Sequence, residues 1–263
     1  MAEALVRGIL GAGILSSGEI CVSDPAAERR ELFAREFTLP VERDNSIAVQ
    51  GSAQVILAVK PQVLAAALAD VGSDAWAGKL VVSIMAGVTT SRLEQLLPGA
   101  VVIRVMPNTP ALVGEGISVI SPGSRAGRAD LAAARRLLEP VGKVLELPES
   151  EMDAVTALSG SGPAYYFAFT ECLAAAGAAA GLSPESAAFL ARETFLGAAA
   201  LLRESGADPT ALREKVTSPG GTTAAALGIF RERDLADLVT AALRAARDRS
   251  RELGREESGD GTA

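Results

Sequence analysis

Two short stretches carry residue types that can hold a small anion or a cofactor through backbone alone. They are Leu158-Ser159-Gly160-Ser161-Gly162-Pro163-Ala164-Tyr165 and Thr217-Ser218-Pro219-Gly220-Gly221-Thr222-Thr223. Glycine lets a backbone approach a ligand with no Cβ in the way, and a Gly/Ser/Thr turn that opens a helix points unpaired N–H groups at any anion set there. Local composition leaves each stretch open as a plain helix-to-helix turn. The 263 residues include no histidine, which removes His-based triads, His acid/base pairs and most zinc sites. Cys21 and Cys172 lie far apart and match no metal spacing. No metal site is expected.

The elements around these stretches read as two kinds of chain. Ala2, Leu5, Val6, Ile9 and Leu10 recur at helical spacing, so a helix is expected to end at Gly11 or Gly13. Ile20 to Ser23 is a short β-type run, and Asp24-Pro25 is a helix cap and first turn for a helix through Arg35. Val55 to Val59, Leu80 to Met85 and Val101 to Val105 are continuous apolar runs of strand length, with helical patterns between them. Ile117 to Ile120 and Val144 to Leu147 flank a helix expected over 128–138. This alternation indicates the doubly wound α/β class, a parallel sheet covered on both faces. After Pro148 alanine, leucine and helix caps take over and strand patterns cease. The expected organisation is a dinucleotide-binding domain over 1–149, a helical dimerisation and substrate domain over 150–253, and a polar tail over 254–263.

With 32 acidic against 25 basic residues and no basic cluster, nucleic acid is not an expected partner. The N-terminus lacks a signal-peptide pattern, and two thiols suit a cytoplasmic chain that keeps them buried. The longest apolar run, Ala164 to Leu182, is interrupted by Glu171 and reads as a buried helix that does not cross a membrane. Gly11-Ala12-Gly13 fails as a dinucleotide loop: Ser16 stands where the third small residue belongs, and Ile20 begins a strand too soon. The first helix instead fits the one that follows such a loop, which puts Ser23 and Asp24 at the ribose-reading end of the second strand. On this reading the chain as written starts after its first strand and glycine loop.

Taken together, several stretches resemble pyrroline-5-carboxylate reductase. They are Met1 to Leu5, Leu57-Ala58-Val59-Lys60-Pro61-Gln62, Arg104-Val105-Met106-Pro107-Asn108-Thr109-Pro110, Asp153 to Tyr165 and Val216 to Thr223. The resemblance covers nearly the whole chain in order, and the absent strand and glycine loop are its departure. It implies a Rossmann-type sheet lacking its first strand, followed by a helical dimerisation domain. It also implies hydride transfer from NADPH, with NADH as the alternative, to the C=N carbon of pyrroline-5-carboxylate, giving L-proline. Such chemistry needs the imine positioned, its carboxylate neutralised and a proton favoured on its nitrogen.

By the same resemblance, the substrate carboxylate lies on Ser218, Gly220, Gly221, Thr222 and Thr223, met by the N–H groups of Gly221, Thr222 and Thr223. Thr223 takes the catalytic place, its hydroxyl toward the ring nitrogen, and Glu149 lies near the substrate. Ala58, Val59, Lys60, Pro61, Ala86, Gly87, Asn108 and Thr109 match nicotinamide-side contacts, Asn45 an adenosine-side contact, and Lys215 a cofactor contact. Asp24 favours NAD through the ribose hydroxyls, whereas Ser23 with Arg29 or Arg30 suits a 2′-phosphate. Ser159 to Pro163 supports the shape of the site. The implied assembly is a homodimer through interleaved helices, often extended to a ring of dimers. Competing readings are a reductase of another cyclic imine and a catalytically dead binding or assembly module that kept the helices and lost the phosphate loop.

Overall fold

The computed structural model describes residues 1–258. Contacts group them into two units, Met1–Ser161 with the chain from Ala245 onward, and Gly162–Arg244. The first unit opens with α1 (Ala2–Gly11), whose Leu5, Val6 and Ile9 are buried as their spacing demands. Then follow β1 (Val22–Ser23), α2 (Ala27–Phe37), β2 (Val41–Glu42), α3 (Asn45–Gln50), β3 (Gln54–Leu57), α4 (Leu64–Leu68), β4 (Leu80–Ser83), α5 (Thr90–Leu96) and β5 (Val101–Met106). β6 (Gly116–Pro122), α6 (Arg128–Leu138), β7 (Gly142–Glu146) and α7 (Met152–Val155) complete the run. The expected helix from Asp24 to Arg35 starts later. Asp24 Oδ1 accepts the Ala26 N–H at 2.8 Å, which closes a turn ahead of the helix.

β3 to β7 form one sheet in chain order, with β3–β4, β4–β5 and β6–β7 parallel. β5 and β6 are antiparallel, Val105 opposite Ile120, which corrects the all-parallel expectation. The reason is the connection: residues 107–115 hold only a 3₁₀ turn, Thr109–Val113, and a parallel return needs a crossover of a dozen residues or more. Successive residues of the central strands serve opposite faces. Leu80, Val82, Ile103 and Val105 pack with Leu5 and Ile9 of α1 and Leu137 and Leu138 of α6. Val81 and Val102 pack instead with Trp76, Leu93 and Leu97. β1 and β2 pair parallel in a separate ladder that is not hydrogen-bonded to the larger sheet. Val6 of α1 belongs to the small Phe33 and Leu39 cluster beside that ladder, so α1 packs with both.

α7 docks Met152 and Val155 on Val119 of β6. The Ser159 to Pro163 stretch, which reads as a break, is a π-helical turn (Thr156–Gly160) closed by the Ser161 N–H on Thr156 O at 2.9 Å. Such one-turn π segments recur at functional sites.

The second unit comprises α8 (Gly162–Ala179), α9 (Pro184–Ser205), α10 (Pro209–Lys215), α11 (Thr222–Glu232) and the first part of α12 (Leu235–Ser258). Ser183 and Asp208 cap α9 and α10 by accepting the Ser186 and Thr210 N–H groups. α8 is not the buried helix its composition suggests: Tyr166 and Phe167 are more than 60% exposed in the single chain. Eighteen residues of near-uniform apolarity present an apolar surface in every direction, and α9 covers only part of it. Cys21 and Cys172 are likewise exposed, not buried. No described helix is long and apolar enough to cross a membrane. α12 carries helix past residue 253 into the expected tail, of which 259–263 lie outside the described residues.

Candidate active site

In the first unit, three of the singled-out stretches follow neighbouring parallel strands. Ala58 to Pro61 leaves β3, Ala86-Gly87 leaves β4, and Asn108-Thr109 leaves β5. All three therefore share the carboxyl edge of the sheet, where open α/β sheets bind ligands. Lys60 is exposed ahead of Pro61, which starts a 3₁₀ turn. Asn108 is buried with its side chain committed: Oδ1 accepts the Ile117 N–H at 2.9 Å, and Nδ2 faces Ser159 O at 3.4 Å. It ties the end of β5 to the π turn.

At the end of β1, the Ser23 hydroxyl donates to Asn45 Oδ1 at 2.5 Å, while Asn45 Nδ2 donates to Ala67 O at 2.9 Å. Two residues 22 positions apart thus meet at one corner. The two candidate arginines divide. Arg30 Nη1 donates to Asp24 O at 2.7 Å and Pro25 O at 2.8 Å, beside that corner. Arg29 turns away, over the Phe33 ring and within 3.7 Å of Glu3.

Glu149 opens the 3₁₀ turn Glu149–Glu151 ahead of α7. Its Oε1 accepts the Thr90 N–H at 2.7 Å and Arg104 Nη1 at 3.1 Å, and its Oε2 accepts the Thr90 hydroxyl at 2.5 Å. Thr90 and Arg104 are buried, 6% and 5% exposed. A carboxylate with three such donors is held in one orientation. Sequence reasoning named Glu149 but missed both partners. The available signal was a lone arginine inside the apolar run Val101 to Met106, since a charged residue buried in a central strand requires a counter-ion. Gly87, Arg104, Glu149, Asp153 and Arg251 line a cavity of about 500 Å³.

In the second unit, Thr217 to Thr223 is a turn that opens α11, with Gly221 at the cap. Gly220 has φ +68°, which requires glycine, and a Cβ on Gly221 would lie 2.4 Å from Ser218 Oγ, so a side chain there would have to displace that hydroxyl. The Gly221 N–H, expected to face the ligand, donates to Ser218 O at 3.0 Å. The amides of Thr222 and Thr223 sit in the first helical turn, which has no intrahelical acceptor for them, and no side chain caps it. Lys215 ends α10, exposed. No group of His, Cys, Asp and Glu among the described residues is arranged to hold a metal.

These turns stand in the order and spacing of one family. Residues 149–253 match the pyrroline-5-carboxylate reductase dimerisation family, and residues 1–87 match the family of NADP oxidoreductases described as coenzyme F420-dependent. A pyrroline-5-carboxylate reductase of Synechocystis is 41% identical over 255 residues, spanning 97% of this chain and 95% of the relative. One of Arabidopsis thaliana is 42% identical over 254 residues, 96% and 92% of the two chains. Among solved structures, a pyrroline-5-carboxylate reductase from Coxiella burnetii superposes with a TM-score of 0.89 at 32% identity, covering 96% of this chain and 94% of that one. The Plasmodium falciparum pyrroline carboxylate reductase with NADP bound gives 0.83 at 29% identity, covering 96% and 94%. With such identity over nearly its full length, the chain belongs to the pyrroline-5-carboxylate reductase family.

Proposed function

We propose that the chain reduces the C=N bond of 1-pyrroline-5-carboxylate to give L-proline, the last step of proline biosynthesis, as a homodimer in the cytoplasm. The observation that carries this reading is the alignment of three turns, after β3, β4 and β5, along one carboxyl edge of the sheet in a chain of this family. That edge fits a dinucleotide. Lys60 is an exposed cation there, and the Ser23–Asn45 corner offers hydroxyl and amide groups to a ribose. Arg30, not Arg29, is the cation beside that corner, which favours NADPH over NADH.

When bound, NADPH supplies the hydride. The chain's own residues do the rest. Ala58, Val59, Lys60, Pro61, Ala86, Gly87, Asn108 and Thr109 hold the nicotinamide side, Ser23, Asp24 and Asn45 the adenosine side, and Lys215 adds a charge to the cofactor. Ser218, Gly220, Gly221, Thr222 and Thr223 form the carboxylate cradle. Within it the Thr222 and Thr223 amides meet the charge, because the Gly221 amide is already bonded to Ser218 O. The Thr223 hydroxyl orients the imine nitrogen that takes the proton. Glu149 acts near the substrate through the turn it holds. The working divisions are 1–149 for the dinucleotide, 150–253 for dimerisation and substrate, and 254–263 as a tail, with dimers assembling further into a ring.

The missing first strand and glycine loop belong to this reading. Among the described strands none joins the two-stranded ladder to the five-stranded sheet. The test is NADPH oxidation with pyrroline-5-carboxylate, run with this chain and with one extended at its N-terminus by an apolar strand ending in a Gly-x-Gly turn. Turnover is expected, with a lower KM for NADPH in the extended chain by about tenfold, the scale of one lost set of phosphate contacts. No turnover by either chain overturns the enzyme and leaves the dead module.

A further inference from the structure

The last turns of α12 reach the loop between β4 and α5. Ser250, 5% exposed, donates its hydroxyl to Asp153 Oδ1 at 2.8 Å, and Arg251 Nε lies 3.6 Å from Asp153 Oδ2. One turn further, Gly254 meets Gly87 backbone to backbone. A Cβ on Gly87 would lie 3.2 Å from Gly254 N, and a Cβ on Gly254 would lie 2.9 Å from Gly87 O. Gly87 also has φ +78°, which favours glycine whatever the space, and a Cβ there would press on the helix as well.

Gly254 has no left-handed φ to explain it, and a glycine inside a helix costs about 1 kcal/mol relative to alanine. What the position gains is the close approach to Gly87. The loop is therefore gripped from two sides. Glu149 holds Thr90 at the start of α5, and α12 bears on Gly87, its register set by the Ser250 to Asp153 bond. Glu149 and Asp153 stand one helical turn apart, so both grips are anchored on the same short segment.

We infer that Gly254 is a positioning residue for the reduction: seated on Gly87 and latched through Ser250 to Asp153, the end of α12 sets the shape of the Ala86-Gly87 turn and thereby the affinity for the nicotinamide cofactor. The inference rests on the assignment of that turn to the cofactor. It concerns neither the carboxylate cradle nor Thr223, so its signature is confined to one substrate.

The experiment compares Gly254→Ala, Gly254→Val and Ser250→Ala with the wild type, and uses Gly72→Ala as control, because a Cβ on Gly72 meets nothing within 4 Å. Gly254→Val is expected to raise KM for NADPH about tenfold while KM for pyrroline-5-carboxylate and kcat stay within about twofold, the split that marks a lost cofactor-side contact. Gly254→Ala and Ser250→Ala follow with smaller shifts, and either serves if the valine variant does not fold. Amide exchange at Gly87 to Thr90 is expected to quicken in all three and not in Gly72→Ala. An unchanged KM for NADPH with unchanged exchange overturns the inference, as does an equal loss for both substrates. If the wild type binds no NADPH, the cofactor assignment falls, and unchanged exchange in the Gly254 variants then removes the latch as well.

Discussion

At Thr223 the proposed chemistry rests on one hydroxyl and two amides. The Gly221 N–H is spent on Ser218 O, so in the proposed cradle a carboxylate is left to the Thr222 and Thr223 amides, with the Thr223 hydroxyl proposed for the imine nitrogen. Thr223→Ala is therefore expected to lower kcat by about 10- to 100-fold, with Thr223→Ser retaining most of it, as for a positioned hydrogen-bond donor. Steady-state rates together with the Tm of each variant check this, and an unchanged rate for Thr223→Ala takes the residue out of the mechanism. The turn and the start of α11 were legible because their elements are local: a serine, a proline, two glycines and three threonines stand within seven positions. The state of the Gly221 amide was not legible, since a turn's internal hydrogen bond depends on how tightly Gly220 folds it back.

Between elements, the strongest tie is the carboxylate of Glu149 on Thr90 and Arg104, which joins the turn ahead of α7 to the start of α5 and the middle of β5. Arg104 is 5% exposed, so its charge depends on that partner. Removing Glu149 leaves the Arg104 charge buried without its counter-ion, and Glu149→Leu is expected to cost about 3 kcal/mol by urea unfolding. The double variant Arg104→Met with Glu149→Leu should recover more than half of that loss. A double variant as unstable as the sum of the singles would show that the two side chains act separately. The motif reading could single out Glu149 but not what it grips, because its partners stand 59 and 45 positions away. Likewise the periodicity of β6 marked a strand, whereas its antiparallel direction followed from the short path through 107–115.

For the molecule as a whole, the second unit leaves Phe167, Leu196, Ile229 and Leu238 more than half exposed, on four different helices. Monomeric proteins rarely expose contiguous apolar surface on this scale. A dimer through these helices is the expected state in solution, and Phe167→Arg is expected to shift sedimentation-velocity mass toward that of one chain, while a monomeric wild type would overturn the dimer. Within the unit Tyr166 stacks on Phe195 at 5.7 Å and Phe169 packs against Phe230 at 6.2 Å, so part of this apolar surface is already paired within one chain.

Periodicity and punctuation marked α1, the strands β3 to β7 and the caps of α9 and α10, because those choices rest on steric and hydrogen-bonding preferences within a few residues, whereas the late start of α2 and the π turn at Thr156–Gly160 were not marked. The amino-acid types likewise determined that no histidine takes part, which removes His-based acid/base pairs. Only the tertiary structure decided where buried charge and close backbone contact fall: Arg104 on Glu149, Ser23 on Asn45, Arg30 rather than Arg29 beside Asp24, and Gly254 on Gly87. These are meetings of residues distant along the chain, fixed by the packing of whole elements, and no local propensity encodes them.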